Sequence, residues 1–403
     1  MTRALRISIV GAGLGGLTAA IALRAKGFEA TVFEQARELA EIGAGVQLGP
    51  NAIKVYRALG LEDEVRAIGF EPNRHVMRSW KSGRVLYATP MKSVFDARFG
   101  AGYYQLHRSD LHSVLRRSLP DRAIRLGARC TGARTDGTRA VLSLADGTEV
   151  ESDLVVGADG IHSAVRAGVF GAQAPRFTGN ICWRGLVPAE ALPDGMIEPD
   201  STVWLGPHGH VVHYFVRGGK LVNFVACFEA DDWREESWTV EGDPDELLDA
   251  YAGWNPRLLG LLERSERCYK WALYDRDPLP RWTDGRITLV GDSAHAMLPY
   301  LAQGACMAIE DACVLALVLS ESPDAVETAL KTYEALRAPR VSRVQLAARA
   351  RAQVNHLASP MTRFRRDVGY RLRKLIKPKQ TGYRIEWVYG YDATAAMEPG
   401  PAG

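Results

Sequence analysis

"LRISIVGAGLGGLTAAIALRAKGFEATVFEQ", Leu5 to Gln35, decides the fold. It opens on a short apolar run, passes through a glycine turn, continues as an apolar helical segment and ends in a second apolar run at Glu34. Gly11, Gly13 and Gly16 stand at GxGxxG spacing. In a strand–turn–helix unit the first glycine makes the tight turn, the second lets a pyrophosphate approach the backbone, and the third lets helix and strand pack closely. Glu34 falls where an acid bonds an adenosine ribose. The segment is nearly uncharged, but the span between Arg6 and Arg24 is too short to cross a bilayer. The pattern therefore predicts a dinucleotide-binding βαβ unit. NAD and FAD are both open at this point, and a βαβ unit that binds nothing is the plain alternative.

Composition bounds the rest. With 403 residues, 47% of them apolar, the chain predicts a globular protein of two intimately joined domains. Fifty basic against 47 acidic residues give a net charge of +3, which makes no general case for nucleic acid as a partner. Cys130, Cys182, Cys227, Cys268, Cys306 and Cys313 lack CxxC spacing, so neither a metal site nor a disulfide framework is expected. No secretory signal is read at the start of the sequence. These features predict a soluble, cytoplasmic protein with reduced thiols.

Beyond Glu34 the pattern departs from a simple dehydrogenase. "EIGAGVQLGPNAIKVYRALGL" (Glu41–Leu61) sets a glycine-rich loop before a helix, as suits a chain passing close to a flat ligand. "YYQLHRSDLHSVLRRSL" places Arg108 at the start of an amphipathic helix, either as a phosphate or ring contact or as a solvated first-turn residue. "DGTEVESDLVVGADGIHSAVR" reads as a hairpin leading into a buried strand closed by Asp159-Gly160, with Arg166 on the following helix. Asp159 has a simple alternative role as a helix cap. "ITLVGDSAHAMLPYLAQGACMAIEDA" reads as a buried strand ending on Asp292, a loop with Pro299, and a helix starting near Gln303, Gly304 and Ala305.

The motifs "GAGLGG" with Glu34, "GADGIHSAVR" and "GDSAHAMLPYLAQGACMAIEDA" resemble, in order and over nearly the whole chain, the FAD-dependent aromatic hydroxylases. These single-component flavoprotein monooxygenases include salicylate, 3-hydroxybenzoate and 6-hydroxynicotinate hydroxylases. The tail "WVYGYD" (Trp387 to Asp392) is similar to the C-terminal end of the hydroxybenzoate and hydroxynicotinate members. The resemblance implies an α/β fold: a Rossmann-type FAD-binding domain interleaved with a β-sheet substrate domain, plus C-terminal helices. It assigns Gly11, Gly13, Gly15, Gly16, Glu34 and Gln35 to the ADP half of FAD. Gly45, Val46, Arg108, Asp159, Gly291, Asp292, Gln303, Gly304 and Ala305 complete the implied cofactor site, with Asp292 on the ribityl chain and Arg108 at the ribityl and phosphate region. Asp159 would serve both FAD and the reduced nicotinamide nucleotide. The helix near Gly304 would offer unpaired N–H groups and about half a positive charge to the flavin's pyrimidine edge. NADH or NADPH is implied as a transient co-substrate, and no second GxGxxG is present for it. The implied reaction delivers oxygen from a flavin C4a-hydroperoxide to a small phenolic aromatic carboxylate of the salicylate or 3-hydroxybenzoate type.

Between about Phe177 and Trp282 alternating apolar and polar residues predict antiparallel strands roofing the flavin, with a hairpin turn at "RGGK". His210 and Tyr214 match positions that line the substrate pocket in the hydroxybenzoate and hydroxynicotinate enzymes, and are the candidate catalytic groups; the alternative for His210 is a plain strand histidine. Gln47 and Pro299 complete the implied substrate pocket. His213 is expected on the opposite strand face. Gln47 stands where the hydroxynicotinate enzyme carries histidine, which favours a hydroxybenzoate. His295 has two readings, a functional group close behind Asp292 or a loop histidine capping backbone near the flavin, and Arg184 is expected as an ion-pair partner on a strand beside the pocket.

The expected division is an FAD-binding domain over 1–75, 101–176 and 281–340, a substrate-binding sheet over 76–100 and 177–280, and a C-terminal helical segment and tail over 341–403. Within that segment "RVSRVQLAARARAQ" and "TRFRRDVGYRLRKLIKPK" are basic and helical, with a solvated face or a partner subunit as the plain reading. "AAMEPGPAG" reads as a loose tail. A homodimer is compatible with this; membrane, nucleic acid and metal are not expected. A same-fold epoxidase, halogenase or reductase, and a non-enzymatic flavin-binding redox or interaction protein, stand as the competing functions.

Overall fold

The computed structural model describes residues 5–39, 44–230, 240–377 and 380–398. The glycine-rich segment Leu5–Gln35 folds as the strand Arg6–Val10, the helix Leu14–Ala25 and the strand Glu29–Phe33. That first strand is the middle of a six-stranded sheet. Glu29–Phe33 and Ile124–Arg125 flank it on one side, and Leu154–Gly157, Ile287–Leu289 and the antiparallel edge Thr283–Asp284 on the other. Its parallel strands are buried runs of Val, Ile and Leu because both faces are covered.

Helix Leu14–Ala25 is buried on consecutive residues from Gly16 through Leu23, and so is most of the helix Gly304–Glu321 packed against it. Two helices with no wet face explain a sequence that looks membrane-like over a span too short for one. No helix among the described residues is long and apolar enough to cross a membrane.

The second large sheet has eight strands in the order Glu241–Gly242, Cys268–Asp275, Arg176–Pro188, Leu221–Glu229, Gly209–Val216, Ser201–Leu205, Arg74–Ser79 and Val85–Pro90. Strand Gly209–Val216 runs antiparallel to both neighbours, and the turn at Arg217–Gly219 needs three consecutive positive φ angles. Between the sheets lies a short ribbon, Gly45–Leu48 paired with Tyr104–His107. Residues 40–43 of the glycine-rich loop that precedes it lie outside the described residues, as do 399–403 of the tail.

The boundary expected at 340 falls inside one continuous helix, Val326–Asn355, with Pro339 in its interior. A shift toward basic composition there does not break the backbone: the helix buries Tyr333, Val341, Val344 and Ala348 along one side together with Arg337, and leaves Arg343 exposed on the other. The next helix, Pro360–Ile376, exposes Met361, Phe364, Leu372, Leu375 and Ile376.

Candidate active site

Three parallel strands end at the same edge of the six-stranded sheet, and their carboxyl ends deliver the Gly11–Gly16 turn, Ala158–Gly160 and Val290–Asp292 to one cleft. This is the crevice where doubly wound sheets bind nucleotides. The cleft has an empty volume of about 1360 Å³. Its walls include Gly13, Gly15, Gly45, Val46, Arg108, Gly291, Asp292, Gly304 and Ala305 from the expected cofactor set, together with Gln47, His210, Tyr214 and Pro299 from the expected substrate pocket.

The glycines divide by role. A Cβ on Gly16 would lie 2.0 Å from the Gly11 carbonyl oxygen, and one on Gly11 would lie 2.5 Å from the Ala158 carbonyl oxygen, so both are fixed by close backbone packing. A Cβ on Gly15 would meet the Ala308 methyl at 3.1 Å, where the two buried helices touch. At Gly13 a Cβ would meet nothing within 4 Å, because that position faces the open cleft. Gly13 is also the N-cap of helix Leu14–Ala25, without a capping side chain, so the helix's first N–H groups are left for a ligand.

Glu34 holds this loop in place. Its carboxylate accepts from the backbone N–H of Ala12 and of Ala36, both at 2.8 Å. Gln35 is exposed beside it and does not line the cleft. Asp159 is tied into the protein: its carboxylate accepts from the N–H of Ala164 (2.7 Å) and Val165 (3.2 Å) at the start of helix Ala164–Phe170, and from the Ser163 and Ser293 hydroxyls. Its neighbours Ala158 and Gly160 line the cleft instead. Arg166 donates to the carbonyls of Ser293 and Ile161.

Asp292 is not a strand end. The strand stops at Leu289, Gly291 takes φ 64°, and Asp292 opens a single helical turn to His295. Its exposed carboxylate faces the cleft and makes no hydrogen bond among the described residues. Helix Gly304–Glu321 points its uncapped N-terminus at the same space. An exposed acid beside a helix start suits a ligand carrying hydroxyls next to an electron-rich ring edge. The buried Gln303 amide lies behind, its oxygen accepting from Asn51 at 3.1 Å and its nitrogen unpartnered. These residues fit FAD.

His295 bonds a side chain rather than capping backbone: its Nε2 is 2.6 Å from Asp311 Oδ2, and both residues are fully buried. Asp311 also accepts from Arg337, which bonds Glu310, which in turn accepts from Arg340 and Asn51. Burial pushes the Asp311 carboxyl up, but the charges and hydrogen bonds of His295 and Arg337 outweigh it and leave it lowered. This network clamps the Asp292 turn onto helix Gly304–Glu321 and fixes the floor of the cleft.

On the strand Gly209–Val216, His210, Val212 and Tyr214 face the cleft and His213 the opposite core, where it packs near Trp204. Burial drives His210 well below its ordinary pKa and His213 down to about 3, and pushes Tyr214 up to about 12. At neutral pH the two imidazoles are therefore neutral and the phenol is protonated. Arg184 lines the cleft and stacks over Trp271 at 5.0 Å.

A smaller pocket of about 560 Å³ adjoins the cleft and shares Gln47, Val212, Pro299, Tyr300 and Ala302 as walls. Its other walls include His75, Thr89, Phe95, Tyr103, Ser201, Thr381, Tyr383 and Tyr389, none of which was expected from the sequence. They come from five distant stretches, so only the "WVYGYD" tail that contains Tyr389 carried any signal. The Gln47 amide oxygen accepts from Tyr103 at 2.9 Å and Ser201 at 3.3 Å, which makes Gln47 the hinge between the two cavities. His210 and Tyr214 lie on the cleft side of that hinge.

Among the described residues no group of His, Cys, Asp or Glu is placed to hold a metal ion, and the six cysteines are unpaired. Residues 4–348 match a family model described as an FAD binding domain. The chain is 40% identical over 391 residues to a 3-amino-4-hydroxybenzoate 2-monooxygenase of Streptomyces platensis, covering 96% of each chain. It is 37% identical over 348 residues to a 6-hydroxynicotinate 3-monooxygenase of Pseudomonas fluorescens (86% of this chain, 90% of that one). It is 34% identical over 406 residues to a 3-hydroxybenzoate 6-hydroxylase of Klebsiella oxytoca (99% and 100%). The crystal structure of Klebsiella pneumoniae HpxO complexed with FAD and uric acid superposes with a TM-score of 0.84 at 27% identity, covering 97% of each chain. A cleft built for FAD, a family match over most of the length and relatives that all hydroxylate aromatic rings place this chain among the FAD-dependent aromatic-ring monooxygenases.

Proposed function

We propose that the chain hydroxylates a hydroxybenzoate, consuming NADH or NADPH and O2, with the ring held where the small pocket meets the FAD cleft. The observation that carries this reading is the lining of that pocket. Among the described residues it contains no charged side chain, while two hydroxyls on its walls, Thr89 Oγ1 and Tyr300 Oη, are buried without a partner. Tyr103 and Tyr300 are pushed well above the ordinary phenol pKa by burial, and His75 is lowered to about 4 by burial and by Arg351. The pocket therefore offers unpartnered hydroxyl donors able to bond a ligand carboxylate, and the rings of Phe95, Tyr383 and Tyr389 for an aromatic ring to pack on.

FAD supplies electron transfer and oxygen activation; the protein supplies placement, dryness and proton handling. Gln47, oriented by Tyr103, sits at the junction with its amide nitrogen directed to Tyr214. The Tyr300 ring walls both cavities and meets His210 edge-on at 5.0 Å. His210, neutral at neutral pH, accepts the phenolic proton, and the resulting electron-rich ring is the one open to oxygen attack. Gln47 favours a hydroxybenzoate over 6-hydroxynicotinate, and the 40% identity to a 3-amino-4-hydroxybenzoate 2-monooxygenase, against 37% to a 6-hydroxynicotinate 3-monooxygenase, is compatible with that choice.

The test is a panel of 3-hydroxybenzoate, salicylate, 3-amino-4-hydroxybenzoate and 6-hydroxynicotinate with NADH and NADPH, reading nucleotide oxidation and product mass together. At least one hydroxybenzoate is expected to accelerate oxidation and appear as a stoichiometric hydroxylated product. Preferential hydroxylation of 6-hydroxynicotinate would overturn the substrate assignment. Nucleotide oxidation without hydroxylation of any ring would favour the epoxidase, halogenase or reductase alternative.

A further inference from the structure

His210 does not end at the cleft. Its Nδ1 lies 2.7 Å from Nε2 of His356, the residue that closes the long helix Val326–Asn355 at its negative end. His356 is buried, and its Nδ1 stands 3.9 Å from Glu229 Oε1; Glu229 Oε2 is in turn 2.8 Å from Nδ1 of the half-exposed His208. His356 and Glu229 also line a second, polar cleft with Arg176, Asp275 and Arg349, separated from the first by Leu298. Four titratable side chains thus run in line from the cofactor cleft to solvent, and none beyond His210 has a part in holding FAD or the ring. His210 Nε2 makes no hydrogen bond among the described residues, and His210 lines the cleft.

We propose that His210, His356 and Glu229 form a proton relay connecting the phenol of the bound substrate to solvent through the second cleft. The proposal rests on the reading of the substrate as a phenol. In the outward direction the phenol O–H breaks and its proton bonds to His210 Nε2. The proton on His210 Nδ1 passes to His356 Nε2, and the proton on His356 Nδ1 passes to Glu229, whose half-exposed side chain rotates to close the gap, and then to water. Each imidazole gains one proton and loses one, so neither ring stays charged and the net change is one phenolate in the pocket and one proton in solvent. Two neutral rings bonded nitrogen to nitrogen are suited to this, because each can donate on one side while accepting on the other. The groups that surround the pair are Tyr300, whose ring lies 5.6 Å from His356, Arg349 on the helix, the Arg176–Asp275 pair across the cleft, Arg351, and His208. Asp275 is already held by Arg176 and Arg349, which leaves Glu229 as the acceptor next to His356.

The experiment uses the FAD-loaded protein with His356→Gln, which keeps a hydrogen bond to His210 but cannot accept one proton and release another, and with His356→Ala, which opens a hole onto the second cleft. The probe is 4-hydroxy-3-nitrobenzoate, whose ionisation is read by absorbance after a stopped-flow pH jump. Both variants are expected to bind the probe and ionise it roughly a hundred-fold or more slowly, the usual range for losing a proton-transfer group being ~10²–10⁴-fold. Added imidazole should restore the rate in His356→Ala but not in His356→Gln. Ionisation at the wild-type rate in His356→Gln overturns the relay. A second measurement needs no ligand: in ¹⁵N-histidine spectra the His210 ring N–H should exchange with water more slowly in His356→Gln than in wild type, and equal exchange also overturns the relay. Failure of the probe to bind wild type sinks the hydroxybenzoate reading, while the exchange comparison still decides the relay.

Discussion

Gly13 and Gly16 occupy one six-residue turn, yet the structure assigns their substitution opposite consequences. Gly13 has φ −69° and ψ 178°, an extended conformation open to any residue, and a Cβ there meets no atom within 4 Å. Gly13→Ala should therefore leave the FAD-free protein within about 0.5 kcal/mol of wild type, as for substitutions that touch nothing. The methyl group instead occupies the space in which a pyrophosphate would reach the helix's first N–H groups. Loss of one such charge-assisted bond costs about 1.5–3 kcal/mol, or roughly 10- to 150-fold in FAD affinity. Gly13→Val, with a branched side chain, should release the cofactor. Gly16→Ala places its Cβ 2.0 Å from a backbone oxygen, which no side-chain rotation relieves. Overpacking of that kind costs about 1–3 kcal/mol and occasionally more, and it falls on the FAD-free fold. The assay pairs urea unfolding of the FAD-free variants with FAD titration by flavin fluorescence. Stoichiometric FAD of unchanged affinity in Gly13→Val, or a Gly13→Ala loss of apoprotein stability matching Gly16→Ala, would refute the division of roles.

Other expectations follow from the same geometry. Asp292→Ala should weaken FAD retention by about 1.5–3 kcal/mol with the fold intact, because its carboxylate is exposed to the cleft and holds nothing else in place; unchanged retention on a desalting column would show that the acid has no cofactor role. Arg337→Met leaves Glu310 and Asp311 buried with less compensation and should cost about 3–5 kcal/mol, visible as a lowered Tm of the FAD-free protein. Gln47→Leu strips Tyr103 and Ser201 of their shared acceptor and should raise KM for the aromatic substrate while FAD content stays full; unchanged KM would remove Gln47 from the pocket's function. Stability should also depend on pH through the buried histidines. His210, His213 and His356 have lowered pKa values in the fold, the last two at about 3 and 4, whereas the unfolded chain protonates them near 6.5. Below about pH 6.5 the unfolded state binds more protons, so stability falls with falling pH, by about 1.4 kcal/mol per pH unit for each histidine that charges only on unfolding. Urea unfolding at pH 7.5, 6.5 and 5.5 checks this, and equal stability at 7.5 and 5.5 would contradict it.

What the sequence disclosed and what it hid differ in how far apart the interacting groups lie along the chain. The glycine turn was legible because its spacing is local: Gly16 meets the Gly11 backbone within six residues, leaving no room for a Cβ. Strand parity was legible for the same reason, since alternation alone puts His210 and Tyr214 on one face and His213 on the other. The partner of His295 was hidden because Asp311 lies sixteen residues on, in another helix. Yet a signal was present: "CMAIEDACVLAL" sets two adjacent acids in an otherwise apolar helix, and buried carboxylates require cations. Those cations are Arg337 and Arg340, at the very place where rising basic composition was taken for a boundary. Reading Glu310 and Asp311 as a demand for buried arginines would have carried the helix through 340 and bound the C-terminal segment to the cofactor cleft. The small pocket had no comparable signal. Its walls reach from Gln47 to Tyr389, and a threonine or tyrosine hydroxyl announces nothing until the fold removes every other partner from it, as it does for Thr89 and Tyr300. The proposed substrate choice rests on such residues, whereas the cofactor followed from three ordered motifs, each short and local in sequence, that together resemble one family.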